Sequence, residues 1–179
     1  MSGVRKYKRL VVPGRFQPPH QGHLATISQA LELADEVIIV IGSAQDSFSI
    51  KNPLTAGERF MLLEKLLRSR FGADYCRRVK IVPVQDIAMN KVWVQYLRML
   101  LPEFDGVVSG NQLVLMLFED MGLAAIRPEM HRREECSGTR IRERILRGED
   151  WLSCIPEEIV DDLKRIGFEE RLRRLTIDG

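Results

Sequence analysis

A chain of 179 residues, 45% hydrophobic and 29% charged, has the composition of a soluble globular protein and the length for one ordinary core, so a single domain is expected over 1–179, with a helical C-terminal part from about 137 onward. The 27 basic and 25 acidic side chains leave a net charge of +2, which argues against a nucleic-acid partner and is compatible with a small anionic ligand. No apolar run approaches bilayer length, and the basic segment Met1 to Arg9 precedes too short an apolar run for a signal peptide, so no membrane partner and a cytoplasmic location are expected.

The first predicted strand is Leu10 to Val12. It leads into Gly14-Arg15-Phe16-Gln17-Pro18-Pro19-His20-Gln21-Gly22-His23 and then into a helical stripe of Leu24, Ile27, Leu31 and Ala34. A second strand follows at Val37 to Ile41. Thr55-Ala56-Gly57-Glu58 has the form of a capping box and opens a helix holding Met61, Leu62, Leu66 and Leu67. Strands at Val79 to Val84 and Val107 to Ser109 alternate with helices at Val92 to Leu101 and Leu113 to Met121. None of the strands alternates strictly between apolar and polar residues, as befits strands buried on both faces. The expected fold is therefore α/β, a Rossmann-like doubly wound parallel sheet with ligands beyond the carboxyl ends of its strands. From Thr139 the pattern turns helical without strand signals, and Phe168 to Leu175 is an amphipathic, charged tail suited to packing on the domain or on a neighbouring subunit. Cys76, Cys136 and Cys154 are widely spaced and odd in number, which suggests neither a disulfide framework nor a zinc site and predicts reduced thiols.

The strand-to-helix turn at Gly14 to His23 concentrates the chemistry. A helix start leaves backbone N–H groups without intrahelical partners at the positive end of the helix dipole, so an anion is attracted there before any side chain acts. With the helix beginning near His20, the rings of His20 and His23 share one face, and Gly22 between them carries no side chain to block an approach. Taken alone, such a pair also describes two solvated or structurally bonded histidines. It lacks the i, i+4 separation and intervening Glu of a zinc protease, the remaining histidine is the distant His131, and no metal-ligand set is expected. The turn is neither a Walker loop nor a three-glycine dinucleotide fingerprint. Ser137-Gly138-Thr139 ahead of Arg140-Ile141-Arg142 is a second helix start, which fits either an anion pocket or a plain N-cap. Trp93 is either core or a stacking platform for a flat ring, and Ser109-Gly110-Asn111 is either a nucleotide contact or an ordinary strand-to-helix cap. Arg140 is expected to face water, Trp151 to pack, and Asp105 and Asp120 to be surface carboxylates.

Gly14 to His23 resembles the His-x-Gly-His signature of the nucleotidylyltransferase superfamily. Gly42-Ser43-Ala44-Gln45, Asn52-Pro53-Leu54-Thr55-Ala56-Gly57-Glu58-Arg59, Pro83-Val84-Gln85-Asp86-Ile87, Ser109-Gly110-Asn111 and Ser137 to Arg142 extend the likeness. In this order the set resembles the archaeal type of nicotinamide-nucleotide adenylyltransferase, from about Arg9 to about Leu172. The resemblance implies the nucleotidylyltransferase fold and transfer of AMP from ATP to NMN, giving NAD and pyrophosphate by direct in-line attack. It implies that His20 and His23 hold the α-phosphate side and the transition state, that Arg15 reaches phosphate, and that Ser137, Thr139 and Arg142 bind the β- and γ-phosphates. It further implies nucleotide contacts at Gly14, Phe16, Gly22, Ser43, Lys51, Ser109, Gly110 and Asn111, a nicotinamide ring on Trp93, and its carboxamide near Asp86, Ile87 and Asn90. Magnesium would ride on the ATP phosphates, and a homo-oligomer, usually a hexamer, is implied.

Two departures stand out: Lys51 replaces an arginine often found before Asn-Pro, keeping the charge without the bidentate grip, and Phe48, near which some members carry a histidine, has no assigned role. Competing readings are another nucleotidylyltransferase, with phosphopantetheine, FMN or glycerol phosphate as acceptor, and a non-catalytic sensor of ATP or NAD. A class I aminoacyl-tRNA synthetase shares the first motif, but the lysine-rich second signature of that class is absent here.

Overall fold

The computed structural model describes residues 5–129 and 136–177, and His131 lies outside them. Five strands, β1 (Tyr7–Gly14), β2 (Ala34–Ile41), β3 (Val79–Pro83), β4 (Gly106–Val108) and β5 (Ala124–Ile126), form a parallel sheet in the order β3-β2-β1-β4-β5. The winding reverses between β1 and β4, so the chain leaves these two strands toward opposite faces and a crevice opens at their carboxyl ends.

Both faces of the sheet are covered, which is why its strands read as unbroken apolar runs. Leu10, Val12, Val37, Ile39 and Ile41 pack with α1 (Gln21–Leu33) and α2 (Ala56–Phe71), while Val11, Ile38, Val40 and Val107 pack with α3 (Trp93–Leu100) and α4 (Gln112–Asp120). The first helical stripe is buried at Leu24, Ile27 and Leu31, but Ala34 belongs to β2, where Arg78 donates to the carbonyls of Leu31, Ala34 and Asp35. Met61 of α2 is exposed. β5 has no counterpart among the predicted strands, because three residues, two of them alanine, carry no periodic signal. Asp105 is more than a solvated carboxylate: it accepts from the backbone N–H groups of Lys8 and Arg9, both at 2.8 Å, tying the start of β1 to the approach of β4.

The capping box of α2 forms, with Thr55 Oγ1 accepting from Glu58 N at 3.1 Å and Glu58 Oε2 accepting from Thr55 N at 2.9 Å. Burial pushes the Glu58 carboxyl up, but a two-pronged ion pair from Arg171 and the Thr55 N–H outweigh it and hold the group below its ordinary range. That fork docks α7 (Phe168–Ile177) on α2. With α5 (Gly138–Arg147) and α6 (Val160–Ile166), α7 builds an apolar cluster in which Leu54, Leu62 and Leu66 meet Ile141, Ile145, Trp151, Phe168 and Leu172. The amphipathic tail thus packs on its own chain. Among the described residues no helix is long and apolar enough to cross a membrane.

Cys136 and Cys154 are joined in a disulfide, with Cα atoms 5.2 Å apart, which corrects the expectation of reduced thiols. The two are 18 residues apart in sequence, and the chain after α5 folds back to bring them together, a proximity that spacing does not reveal. The thiol argument for a cytoplasmic location is lost with it. Cys76 is free and exposed.

Gly106 is fixed by a close approach of backbone. A Cβ there would lie 2.3 Å from the carbonyl oxygen and 2.6 Å from the Cβ of Ala124, its partner across the β4–β5 ladder. Gly106→Ala is expected to destabilise the fold by roughly 1–3 kcal/mol through forced backbone movement, read as a lower urea midpoint at unchanged slope. A loss within about 0.5 kcal/mol, the range of an ordinary surface substitution, would show that the ladder yields without strain.

Candidate active site

The crevice between β1 and β4 holds a cavity of about 490 Å³. Its floor is the turn after β1. There Phe16 is fully buried and holds a left-handed backbone conformation with φ of 53°, turning the chain toward α1. The helix begins at Gln21, one residue later than the sequence suggests, and His20 is its N-cap in extended conformation with no capping hydrogen bond from the side chain. The two imidazoles still meet. His20 and His23 stack with centroids 3.7 Å apart, and His23 tilts against Phe16 at 4.4 Å. Gly22 makes room for His20 itself, since a Cβ there would lie 3.1 Å from that ring.

The Nδ1 atoms of both histidines are buried without a hydrogen-bond partner. A buried polar atom left unpaired costs about 1–3 kcal/mol, and both residues that carry this cost line the cavity. Burial first, and the Arg142 charge second, lower the His20 pKa to about 4; burial and the neighbouring His20 hold His23 well below its ordinary value. Both rings are therefore neutral at pH 7. The folded state binds fewer protons than the unfolded chain between about 4 and 6.5, so the His20 contribution is complete above that window and declines as the pH falls through it. The wild-type stability minus that of His20→Asn is expected to fall by on the order of 3 kcal/mol from pH 6.5 to 4 in urea denaturation. Parallel pH profiles would show that the ring is not kept neutral.

The second helix start forms the facing wall. Ser137 caps α5, its Oγ accepting from the N–H of Arg140. Arg142, 8% exposed, donates from Nη1 to the Gln17 carbonyl at 2.8 Å and from Nη2 to Thr139 Oγ1 at 3.4 Å. Burial, then the charge of Arg15, lowers its pKa to about 10, which leaves it a cation at neutral pH. Among the described residues it forms no ion pair. Gln17 is the keystone of this corner: its side chain both donates to and accepts from the backbone of Leu54, each at 2.8 Å, while its carbonyl holds Arg142. Arg140 is exposed and pairs with Glu143.

Gly14, Arg15, Phe16, His20, Gly22, His23, Ser43, Asp86, Trp93, Ser109, Gly110, Asn111, Ser137, Thr139 and Arg142 all line the one cavity. Asp86 accepts from Ser43 N at 3.0 Å and from Ser43 Oγ at 2.6 Å, so its carboxylate already serves the loop after β2. Trp93 opens α3, with its ring packed edge-on against Phe118 at 6.2 Å. Asn111 also does what an ordinary cap does, its side chain accepting from Leu113 N at 2.9 Å. Three sequence candidates lie outside the lining: Lys51 and Asn90 are exposed, and Ile87 is half-buried. Phe48 sits under the guanidinium of Arg171 at 4.3 Å. Gln17, Thr26, Val114 and Glu129 join the lining without having been singled out from the sequence. Of these only Gln17 carried a signal, being inside the motif.

Residues 11–144 match the family described as cytidylyltransferase-like. The chain is 63% identical over 169 residues to the nicotinamide-nucleotide adenylyltransferase of Aeropyrum pernix, covering 94% of this chain and 97% of that one. It is 44% identical over 169 residues to the protein of the same name from Methanococcus aeolicus, covering 94% and 95%. Among solved structures it is similar to a bifunctional NMN adenylyltransferase/ADP ribose pyrophosphatase of Francisella tularensis, complexed with AMP and a manganese ion, at a TM-score of 0.77 and 24% identity. That match covers 94% of this chain and 52% of the other, so the chain spans about half the length of that protein, and the likeness is one of fold. With identity this high over nearly its whole length, the chain belongs to the cytidylyltransferase-like family and, within it, to the nicotinamide-nucleotide adenylyltransferases.

Proposed function

We infer that the chain joins the AMP moiety of ATP to NMN, giving NAD and pyrophosphate. The observation that carries this reading at the level of chemistry is the pair of neutral, unpartnered imidazoles stacked beside Arg142 at the switch point of the sheet. A phosphate monoester has a second pKa of about 6 and is already a nucleophile at neutral pH, so no general base is needed. An oxygen of the NMN phosphate attacks the α-phosphorus in line; the new P–O bond forms as the bond to the bridging oxygen breaks, and its electron pair leaves with pyrophosphate. What the protein supplies is alignment and donors for the charge that develops.

His20 and His23 are assigned to the α-phosphate oxygens, and Arg15 to phosphate. Ser137, Thr139 and Arg142 are assigned to the leaving pyrophosphate, which suits a planar, permanently charged fork. Trp93 is the assigned platform for nicotinamide, with Asp86 in the same cavity lining. Among the described residues no three His, Cys, Asp or Glu side chains gather to hold a metal. Magnesium is assigned to the phosphate oxygens of ATP, arriving and leaving with the nucleotide, because that ion keeps several waters and is usually held through substrate phosphates. A homo-oligomer is proposed as well, with the hexamer the resemblance implies; exposed Met99 and Leu100 on α3 and Leu113 and Met116 on α4 support a subunit contact. A cytoplasmic location is proposed on the same family basis.

Incubation of the protein with magnesium, ATP and a panel of NMN, phosphopantetheine, FMN and glycerol phosphate tests the reading. Pyrophosphate release with NMN and an adduct of the mass of NAD are expected. Turnover with another acceptor alone, or nucleotide binding without turnover, would overturn it.

A further inference from the structure

Arg59, on α2, has no part in the cavity lining, yet it is fully buried and heads the largest side chains in the interior. Its guanidinium donates from Nη1 to the carbonyls of Arg15 at 2.9 Å and Gly42 at 2.7 Å, from Nη2 to that of Ser43 at 3.0 Å, and from Nε to that of Thr55 at 3.2 Å. It forms no ion pair among the described residues; Asp46 and Asp86 act on it only through space. A buried cation satisfied by carbonyl dipoles alone is an expensive device for stability, since an apolar side chain of similar volume serves packing as well.

The location of those carbonyls gives the device a purpose. Arg15 precedes Phe16, with φ of 53°, and Gly42 precedes Ser43, with φ of 49°. Left-handed conformations of this kind cost of order 1–3 kcal/mol for residues with a side chain and persist only where the surroundings over-determine them. One guanidinium fixes the peptide ahead of each, and both peptides stand at the carboxyl ends of neighbouring strands, β1 and β2. In a planar trans peptide the N–H points opposite the C=O, so the Phe16 and Ser43 N–H groups face away from Arg59, that of Ser43 onto the Asp86 carboxylate. We propose that Arg59 is a positioning residue for adenylyl transfer, locking the turns after β1 and β2 into one rigid wall so that Arg15, Phe16 and Ser43 meet the nucleotide in a fixed geometry. This rests on the nucleotide-transfer reading above.

Arg78 provides an internal control. It too donates to backbone carbonyls, those of Leu31, Ala34 and Asp35, but where β2 begins, at the end of the sheet away from the cavity. The test compares Arg59→Lys, Arg59→Met and Arg78→Lys in the full chain by thermal unfolding, by calorimetric ATP binding, and by kcat and KM for ATP and NMN per folded molecule. Arg59→Lys keeps charge and stem but loses the fork, and is expected to fold, to bind ATP more weakly and to lose about 10²-fold in kcat/KM, the scale of a small misplacement of reacting groups. Arg59→Met is expected to lose more, and Arg78→Lys to lose stability alone. If folded Arg59→Lys binds ATP and turns over like wild type while melting lower, Arg59 is merely structural and the proposal fails; should Arg59→Met not fold, Arg59→Lys decides alone. If the wild type forms no NAD, the nucleotide-transfer reading fails, and the ATP affinities of Arg59→Lys and Arg78→Lys still separate a wall that grips nucleotide from a packing role.

Discussion

His23→Ala is expected to bind ATP within about tenfold of the wild type and to turn over about 10²–10³-fold more slowly, the usual loss on removing one preorganised donor from a charge-stabilising site. His23 is wedged between the His20 ring at 3.7 Å and the Phe16 ring at 4.4 Å, so its position is set by packing before any ligand arrives. Held neutral, it does not repel Arg142 or Arg15, and on the proposed assignment it meets the ground-state nucleotide as a plain hydrogen-bond donor. Its value rises only as charge accumulates on the α-phosphate oxygens, which is the condition for a kcat effect without an equal affinity effect. Single-turnover rates beside calorimetric ATP affinity read the two separately. Equal losses in both would assign the ring to ground-state binding, and a thermal melt guards against a cavity effect at the vacated site.

Arg142→Ala is expected to lower kcat/KM for ATP by about 10²–10³-fold, and Arg142→Lys to recover little of it, because a point charge cannot span the Gln17 carbonyl, the Thr139 hydroxyl and a phosphate together. The reverse reaction sharpens the assignment: KM for pyrophosphate is expected to rise in step. A third readout needs no substrate. The Arg142 charge is the second cause of the depressed His20 titration, after burial, so the His20 resonance in Arg142→Ala is expected to titrate above about 4 while staying below 6.5. An unmoved titration with normal pyrophosphate KM would remove Arg142 from the site.

What the sequence made legible, and what it hid, divides along physical lines. The strands declared themselves where both faces are buried, as at Val37 to Ile41, and the capping box of Thr55 and Glu58 is a local pattern that its own four residues enforce. The histidine pair was legible because helical spacing alone puts the two rings together, even with the helix starting one residue late. β5 was too short to show a period. Gln17 and Arg59 both lie inside quoted motifs, but their roles stayed hidden because their partners include main-chain groups 37 and 44 positions away, and a backbone group has no residue type for a pattern to catch. The disulfide was hidden for the same reason of long-range return. Lys51 and Asn90 show the converse: each neighbours a motif in sequence, and the loop carries its side chain off the lining.

The bond from Arg142 to the Gln17 carbonyl spans 125 positions. A polypeptide emerging from the ribosome completes both imidazoles and the first sheet strands long before the guanidinium that faces them has been synthesised. Until then the nascent chain lacks the facing wall of the cavity, so the cleft is completed only once the helix carrying Arg142 has been made.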